Sequence, residues 1–300
     1  MPNTASLLLP MSIAVIGAGQ IGSAFASQLA QAGHYVTVVA RPESRRFHQL
    51  QAAGGIAFQD GRHVSVGIAD SLDEEFAYDL VIVTTKAFQV DALLPTLARS
   101  RAAELHFLFA NFNPDRIRSA LKNRKCSFGM PFIQAWLDDH GRMTTRITSR
   151  QKTLHSDHRW VDLFNGAGLP SAFEDDMTGW LRWHAPMTIA IESVCVAGER
   201  RGGGATWREA RTMALGMRAG FQIISSLGYE MHSSAKSLAR MPVTIASLIL
   251  WAMSRMKNFR ELLASGENEA CALVDELVAA AKAKPELQTE IDALLAMRPR

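Results

Sequence analysis

Through its first half the chain alternates short apolar runs with amphipathic segments. Residues 13–16, 35–40, 63–68, 80–84 and 105–109 are brief runs rich in Val, Ile, Leu and Phe, bounded by turn-forming residues, and predict strands. Between the first two, residues 20–32 place Ile21, Ala24, Phe25, Leu29 and Ala32 on one face of a helix that Gly33 stops. Strands alternating with helices predict a parallel sheet covered by helices. Residues 127–130 and 144–148 are candidate extensions of that sheet.

The pattern changes near Glu174. Beyond it the spacing predicts only helices, over 176–199, 205–227, 243–264 and 268–282, with Pro285 before a last short one. Gly202–Gly204, Gly228 and Gly266 punctuate them. The expected organisation is an N-terminal extension over 1–10, a Rossmann-type α/β domain over 11–173 and an all-α domain over 174–300. A ligand cleft is expected between the two domains.

Composition narrows the function classes. With 32 Lys and Arg against 29 Asp and Glu, the net charge of +3 gives no electrostatic case for nucleic acid. The cluster from Glu199 to Gly204 reads as a solvated loop. No apolar run reaches the roughly 18 residues of a membrane span. The first ten residues lack the basic start and apolar core of a secretory signal. Cys126, Cys195 and Cys271 are widely spaced, which fits a reducing, cytoplasmic setting and no metal knuckle. His155 and His158 form a close pair with no further ligand in view, so no metal site is expected.

Candidate chemistry begins at "IAVIGAGQIGSAF". Gly17, Gly19 and Gly22 form G-x-G-x-x-G between an expected strand and an expected helix. In that setting the first glycine permits a tight turn, the second lets backbone approach a pyrophosphate, and the third lets helix and strand pack closely. The helix start at Gln20 and Ile21 then offers unpaired N–H groups to phosphate. The second strand ends Ala40-Arg41, with Arg45 and Arg46 a turn later. An acid at that tip would hold a ribose 2′-hydroxyl, whereas arginine accommodates a 2′-phosphate, so NADP(H) is favoured over NAD(H). A nicotinamide cofactor makes hydride transfer the default chemistry.

Further residues join this motif. Lys86 follows the fourth strand in "LVIVTTKAFQV", Asn111 follows the fifth in "HFLFANFNP", and "WLRWHAPM" opens the first helix of the all-α domain. With the glycine motif and Arg41, this arrangement resembles the ketopantoate reductase (2-dehydropantoate 2-reductase) family, closely over about 11–115 and in helix layout over 175–300. The resemblance implies reduction of a 2-oxo acid by NADPH between two domains. It implies cofactor contacts at Gly17, Gly19, Gly22, Arg41, Lys86 and Asn111, although Phe112 stands where the family has glycine. The family's lysine proton donor, two residues after a tryptophan, corresponds to Arg182. Its two substrate-holding asparagines correspond to Pro186 and Ala190. Of its C-terminal substrate-binding acid, Glu261 is only a weak match.

Arg182 is no substitute donor. Free lysine titrates at about 10.4 and arginine above about 12, which makes proton release harder by about 3 kcal/mol. A two-pronged grip on a substrate carboxylate suits it, as does a salt bridge to Glu174 or Asp175. His184 titrates in the right range, but residues two apart on a helix face nearly opposite sides. Pro186 then implies either a kink at Arg182 or a helix that starts only near Pro186, with 180–185 forming a turn. The donor is therefore open among His184, Lys86 and water. The expected substrate is a small carboxylate-bearing carbonyl or imine. The alternative is a non-catalytic NADP(H)-binding sensor. The exposed side of the helices could serve a homodimer.

Overall fold

The computed structural model describes residues 9–264 and 266–299. Most of the expected N-terminal extension therefore lies outside the described residues. The described residues divide into two compact units: those up to 109 with 115–177, and 110–114 with those from 178 onward.

The first unit opens β1 (Ser12–Ile16), α1 (Gln20–Gln31), β2 (Tyr35–Val39), α2 (Arg45–Ala53), β3 (Ile56–Ala57), β4 (His63–Val64), β5 (Gly67–Ala69) and β6 (Leu80–Val83). It continues α3 (Leu94–Arg99), β7 (Leu105–Leu108), α4 (Pro114–Ala120), β8 (Cys126–Met130), β9 (Gln134–Leu137), β10 (Met143–Arg146), β11 (Thr153–His155), α5 (His158–Gly166) and β12 (Ser171–Phe173). Its main sheet runs β12-β11-β8-β7-β6-β1-β2-β5. All pairings in it are parallel except β11 with β8. The central strands β6 and β7 are buried at every position, the continuous apolar pattern of a parallel sheet covered on both faces.

The order places β1 between β2 and β6. The chain leaves β1 through α1 to β2 on one side, and later returns to β6 on the other. The ends of β1 and β6 thus meet at a topological switch point, where open α/β sheets leave a crevice beyond their carboxyl ends.

The expected strand over 63–68 is two strands. β4 pairs antiparallel with β3, while β5 joins the main sheet beside β2. The segment expected to extend the main sheet over 144–148 instead forms β10, paired with β9 in a separate antiparallel hairpin. The Asp138 carboxylate stabilises the turn of that hairpin by accepting from the His140 and Arg142 N–H groups.

A polar line crosses four neighbouring strands inside this unit. His106 Nδ1 lies 2.8 Å from Ser127 Oγ, His106 Nε2 lies 3.0 Å from His155 Nδ1, and His155 Nε2 lies 3.1 Å from Ser171 Oγ. The directions follow from the two ends. Ser171 donates to the Leu169 carbonyl, so it accepts from His155; Trp160 Nε1 donates to Ser127, which leaves the Ser127 proton for His106. With both imidazoles neutral, every donor meets an acceptor. Burial pushes His106 down to about 3 and holds His155 well below its usual value.

The second unit comprises α6 (Met177–Arg200), α7 (Trp207–Ser226), α8 (Lys236–Arg240), α9 (Val243–Met253), α10 (Lys257–Ala264), α11 (Glu267–Ala281) and α12 (Gln288–Leu295). The single helix expected over 243–264 breaks after Met253. Ser254 Oγ donates to the Trp251 carbonyl and accepts from the Ala205 N–H, which fixes the chain where α9 ends. Among the described residues no helix is long and apolar enough to cross a membrane.

The neutral histidine pair makes a pH prediction. Both native values lie below the unfolded value of about 6.5, so the unfolded chain binds more protons in acid and stability falls as pH drops below that point. Each histidine contributes up to about 1.4 kcal/mol per pH unit in that window. Urea unfolding at about pH 7.5 and about pH 5 measures it, and equal unfolding free energies would contradict the neutral assignment.

Candidate functional site

The glycine turn is built by steric exclusion. Gly17, at the end of β1, has φ of +107°, a region that side chains rarely adopt. Its N–H donates to the Val39 carbonyl at 3.0 Å, which ties the turn to β2. Thr84, just past β6, closes the other side: its hydroxyl lies 3.1 Å from the Ile16 carbonyl and 3.0 Å from that of Gly17. A methyl group on Gly22 would lie 1.8 Å from the Gly17 carbonyl oxygen and 2.5 Å from Thr84 Oγ1. A methyl group on Gly19 would meet nothing within 4 Å. Gly17 and Gly22 therefore serve internal packing, while Gly19 borders open space.

Gly19 is also the N-cap of α1, with no side-chain cap and no acid in the first turn. The leading N–H groups of this helix, at Gln20, Ile21 and Gly22, have no carbonyl within the helix to bond. Their partial positive charge suits an anion. Thr85 approaches this turn in space, its backbone N lying 3.1 Å from where a methyl group on Gly17 would sit, and its Oγ1 is buried without a hydrogen-bond partner.

The arginines that follow β2 divide by function. Ser44 brackets the turn after the strand: its N–H and hydroxyl both donate to the Arg41 carbonyl, and its Oγ caps α2 by accepting from Phe47. Arg45 pairs with Asp139 in the β9–β10 turn. Arg46 reaches back to the glycine loop, donating to the Ala18 carbonyl at 3.1 Å, to Ser23 Oγ at 3.1 Å and to the Gly141 carbonyl at 2.6 Å. Burial pushes Arg46 down to about 10. Both are structural here, bonding the loop and hairpin. Arg41 is exposed at the strand tip, and its guanidinium has no hydrogen-bond or ion-pair partner among the described residues.

Lys86 is half-buried two residues after Thr84, and its N–H donates to Gln89 Oε1 at 3.1 Å. Asn111 is buried in the short stretch that groups with the helical unit. Its Oδ1 accepts from the Asn113 N–H at 2.9 Å, and its Nδ2 has no partner.

In the helical unit, α6 runs unbroken through Pro186. The expected turn over 180–185 is not formed. Those residues are helical, and a methyl group on Gly220 of α7 would lie 2.8 Å from Pro186 Cβ, so the absent side chain accommodates the ring. Arg182 is buried, its guanidinium 3.8 Å from the Tyr229 ring centroid, a cation–π contact that holds the planar group in place. The His184 ring stacks on Trp180 at 4.2 Å, and desolvation lowers its pKa to about 4. The imidazole is then neutral at physiological pH. Trp183 is anchored through Nε1 to the Glu230 carbonyl at 2.7 Å. Glu261 is a surface residue 3.8 Å from Lys257. A buried carboxylate that sequence patterning did not single out is Glu192, packed directly on Gly266 at the start of α11. No group of His, Cys, Asp and Glu among the described residues could hold a metal ion.

These contacts separate two glycines experimentally. Gly22→Ala should lower the melting temperature by several degrees, since its methyl cannot fit against backbone oxygen. Gly19→Ala should melt within about 2 °C of the parent, as expected for a change into open space. Thermal unfolding of both variants decides it, and equal losses would contradict the geometry.

Residues 13–155 match the family model of ketopantoate reductase PanE/ApbA. Among solved structures, a PanE/ApbA family ketopantoate reductase from Ralstonia eutropha JMP134 is 19% identical, with 96% of this chain and 98% of that one covered and a TM-score of 0.70. D-mandelate dehydrogenase, solved with NADH, is 16% identical at a TM-score of 0.67, covering 96% and 97%. A dimeric ketopantoate reductase from Staphylococcus aureus is 15% identical at 0.63, covering 96% and 99%. At such identities the structures share the fold. The match to the ketopantoate reductase family model spans the glycine turn, the switch point and the Lys86 segment, and the solved structures share the fold over nearly the whole chain.

Proposed function

We propose that the protein is an NADPH-dependent reductase of a small carbonyl or imine acid. The observation that carries this reading is the pairing of a glycine turn open at Gly19 with an uncompensated Arg41 at the tip of β2. The turn fits a dinucleotide pyrophosphate: Gly19 leaves room, and Gln20, Ile21 and Gly22 offer N–H groups to it. Arg41 suits a 2′-phosphate, and among the described residues no acid pairs with it. A relative of this fold was solved with NADH, so the fold alone does not choose the dinucleotide; the charge at the β2 tip supports the phosphorylated one in this reading. When bound, the nicotinamide would supply the hydride.

The substrate class rests on Arg182. A buried, planar guanidinium braced by Tyr229 is suited to a bidentate carboxylate contact. D-mandelate dehydrogenase, which shares this fold, was also solved with anilino(oxo)acetate, an oxo acid, which supports a carboxylate beside the reacting carbonyl. We assign the proton to Lys86. Arginine does not release its proton near neutrality, and the stacked His184 imidazole carries no spare one. His184 thus acts in this reading as packing that positions α6. Asn111 would orient the nicotinamide end through its unpartnered Nδ2.

Tryptophan-fluorescence titration tests the cofactor. Arg41→Ala should weaken NADPH binding roughly tenfold, about 1.4 kcal/mol, and leave NADH binding unchanged. Oxidation of NADPH with a panel of 2-oxo acids tests the reaction. Arg182→Ala should raise KM, and Lys86→Ala should lower kcat by about a hundredfold or more. NADPH binding without turnover on any acid would favour a sensor, a reading to which the neutral His184 and the replaced lysine lend weight.

A further inference from the structure

The helical unit contains a cavity of about 540 Å³ far along the chain from the glycine turn. Ser193, Val196, Ala197 and Arg200 line it from one face of α6, Arg208, Thr212 and Met213 from one face of α7, and Ala296 and Arg298 from the end of α12. Its floor is apolar, and its rim carries guanidinium groups.

The rim charges are only partly compensated. Arg200 pairs with Glu267 at 2.7 Å, Arg298 with Asp275 at 2.7 Å, and Arg201 with Glu209 at 3.0 Å. Of these acids, only Glu209 belongs to the lining, and its carboxylate is also held by the Thr206 N–H at 2.7 Å. The Arg208 guanidinium has no hydrogen-bond or ion-pair partner among the described residues and is exposed beside the cavity. A second observation lies deeper. The Ser193 side chain is 1% exposed, and its hydroxyl has no hydrogen-bond partner. A helical serine ordinarily returns its proton to a carbonyl one turn back. A buried hydroxyl left without that bond, on the wall of a cavity with a cationic rim, is an unfilled donor.

We propose that this cavity binds a small organic anion, its apolar body over Val196, Ala197 and Met213 and its anionic head between Arg208 and Ser193. The proposal stands independently of the reductase reading, because none of its residues belongs to the nucleotide or substrate site.

Isothermal titration calorimetry with phenyl phosphate tests it, with phenol as the uncharged control. The expected result is saturable binding of phenyl phosphate and none of phenol. Arg208→Ala should weaken that binding at least tenfold, Ala197→Leu should abolish it by filling the floor, and Arg41→Ala should leave it unchanged. Absence of binding overturns the proposal. So does binding that survives both cavity variants, or that is lost in Arg41→Ala, since the anion would then sit at the glycine turn. Circular dichroism of each variant establishes that it is folded before its affinity is compared.

Discussion

The approach of Gly22 to the Gly17 carbonyl governs the geometry of the first unit. A methyl group there would sit at 1.8 Å, well inside any non-bonded contact, so α1 lies against β1 only because the side chain is missing. Thr84 uses the same space. Its hydroxyl bonds both carbonyls at the end of β1, and it too would collide with any Cβ on Gly22. These contacts set the direction of α1 and hence the aim of its leading N–H groups. They also place the end of β6, and with it Thr85 and Lys86, beside the turn. Gly19 differs, since nothing inside the protein needs its lack of a side chain.

Charge allocation adds a second layer. Of the three arginines after β2, two bond backbone and hairpin, and one is left exposed at the strand tip. Arg46 reinforces the glycine loop by bonding Ala18, which lies between the first two glycines. In the helical unit the corresponding constraint is Pro186. A proline inside a helix loses a hydrogen bond and crowds the preceding turn, a cost of about 3 kcal/mol or more in isolation. Here the surrounding helices bury α6 on nearly every side, and Gly220 makes room for the ring. Tertiary packing outweighs the local penalty, so the helix carries Arg182 and His184 on regular turns.

The buried line from Trp160 to Leu169 shows how polar groups enter a core. Four strands each contribute one residue, and the directions of the bonds close only when both histidines are neutral. His155 and His158 are close in sequence yet have different partners: His155 joins this line, while His158 stacks on Phe173 at 3.8 Å.

Sequence by itself determined the main strands and α1, because apolar periodicity reports burial directly and these elements are long or strongly patterned. It also determined the three glycines and Arg41 as candidates, since backbone clearance and charge at a strand end are local requirements; Lys86 became a candidate through the family resemblance. Tertiary structure decided the rest. The short strands β11 and β12 exist through pairing with segments elsewhere in the chain, while β3 and β4 pair with each other, which divides the apolar run over 63–68 between two sheets. The separate β9–β10 hairpin, the use of Arg45 and Arg46, and the continuity of α6 through Pro186 depend equally on neighbours remote in sequence. So does the neutral state of His184, which follows from the surface that buries its ring rather than from its position in "WLRWHAPM". A titrating group's charge is set by its surroundings in three dimensions, and no spacing along the chain records them.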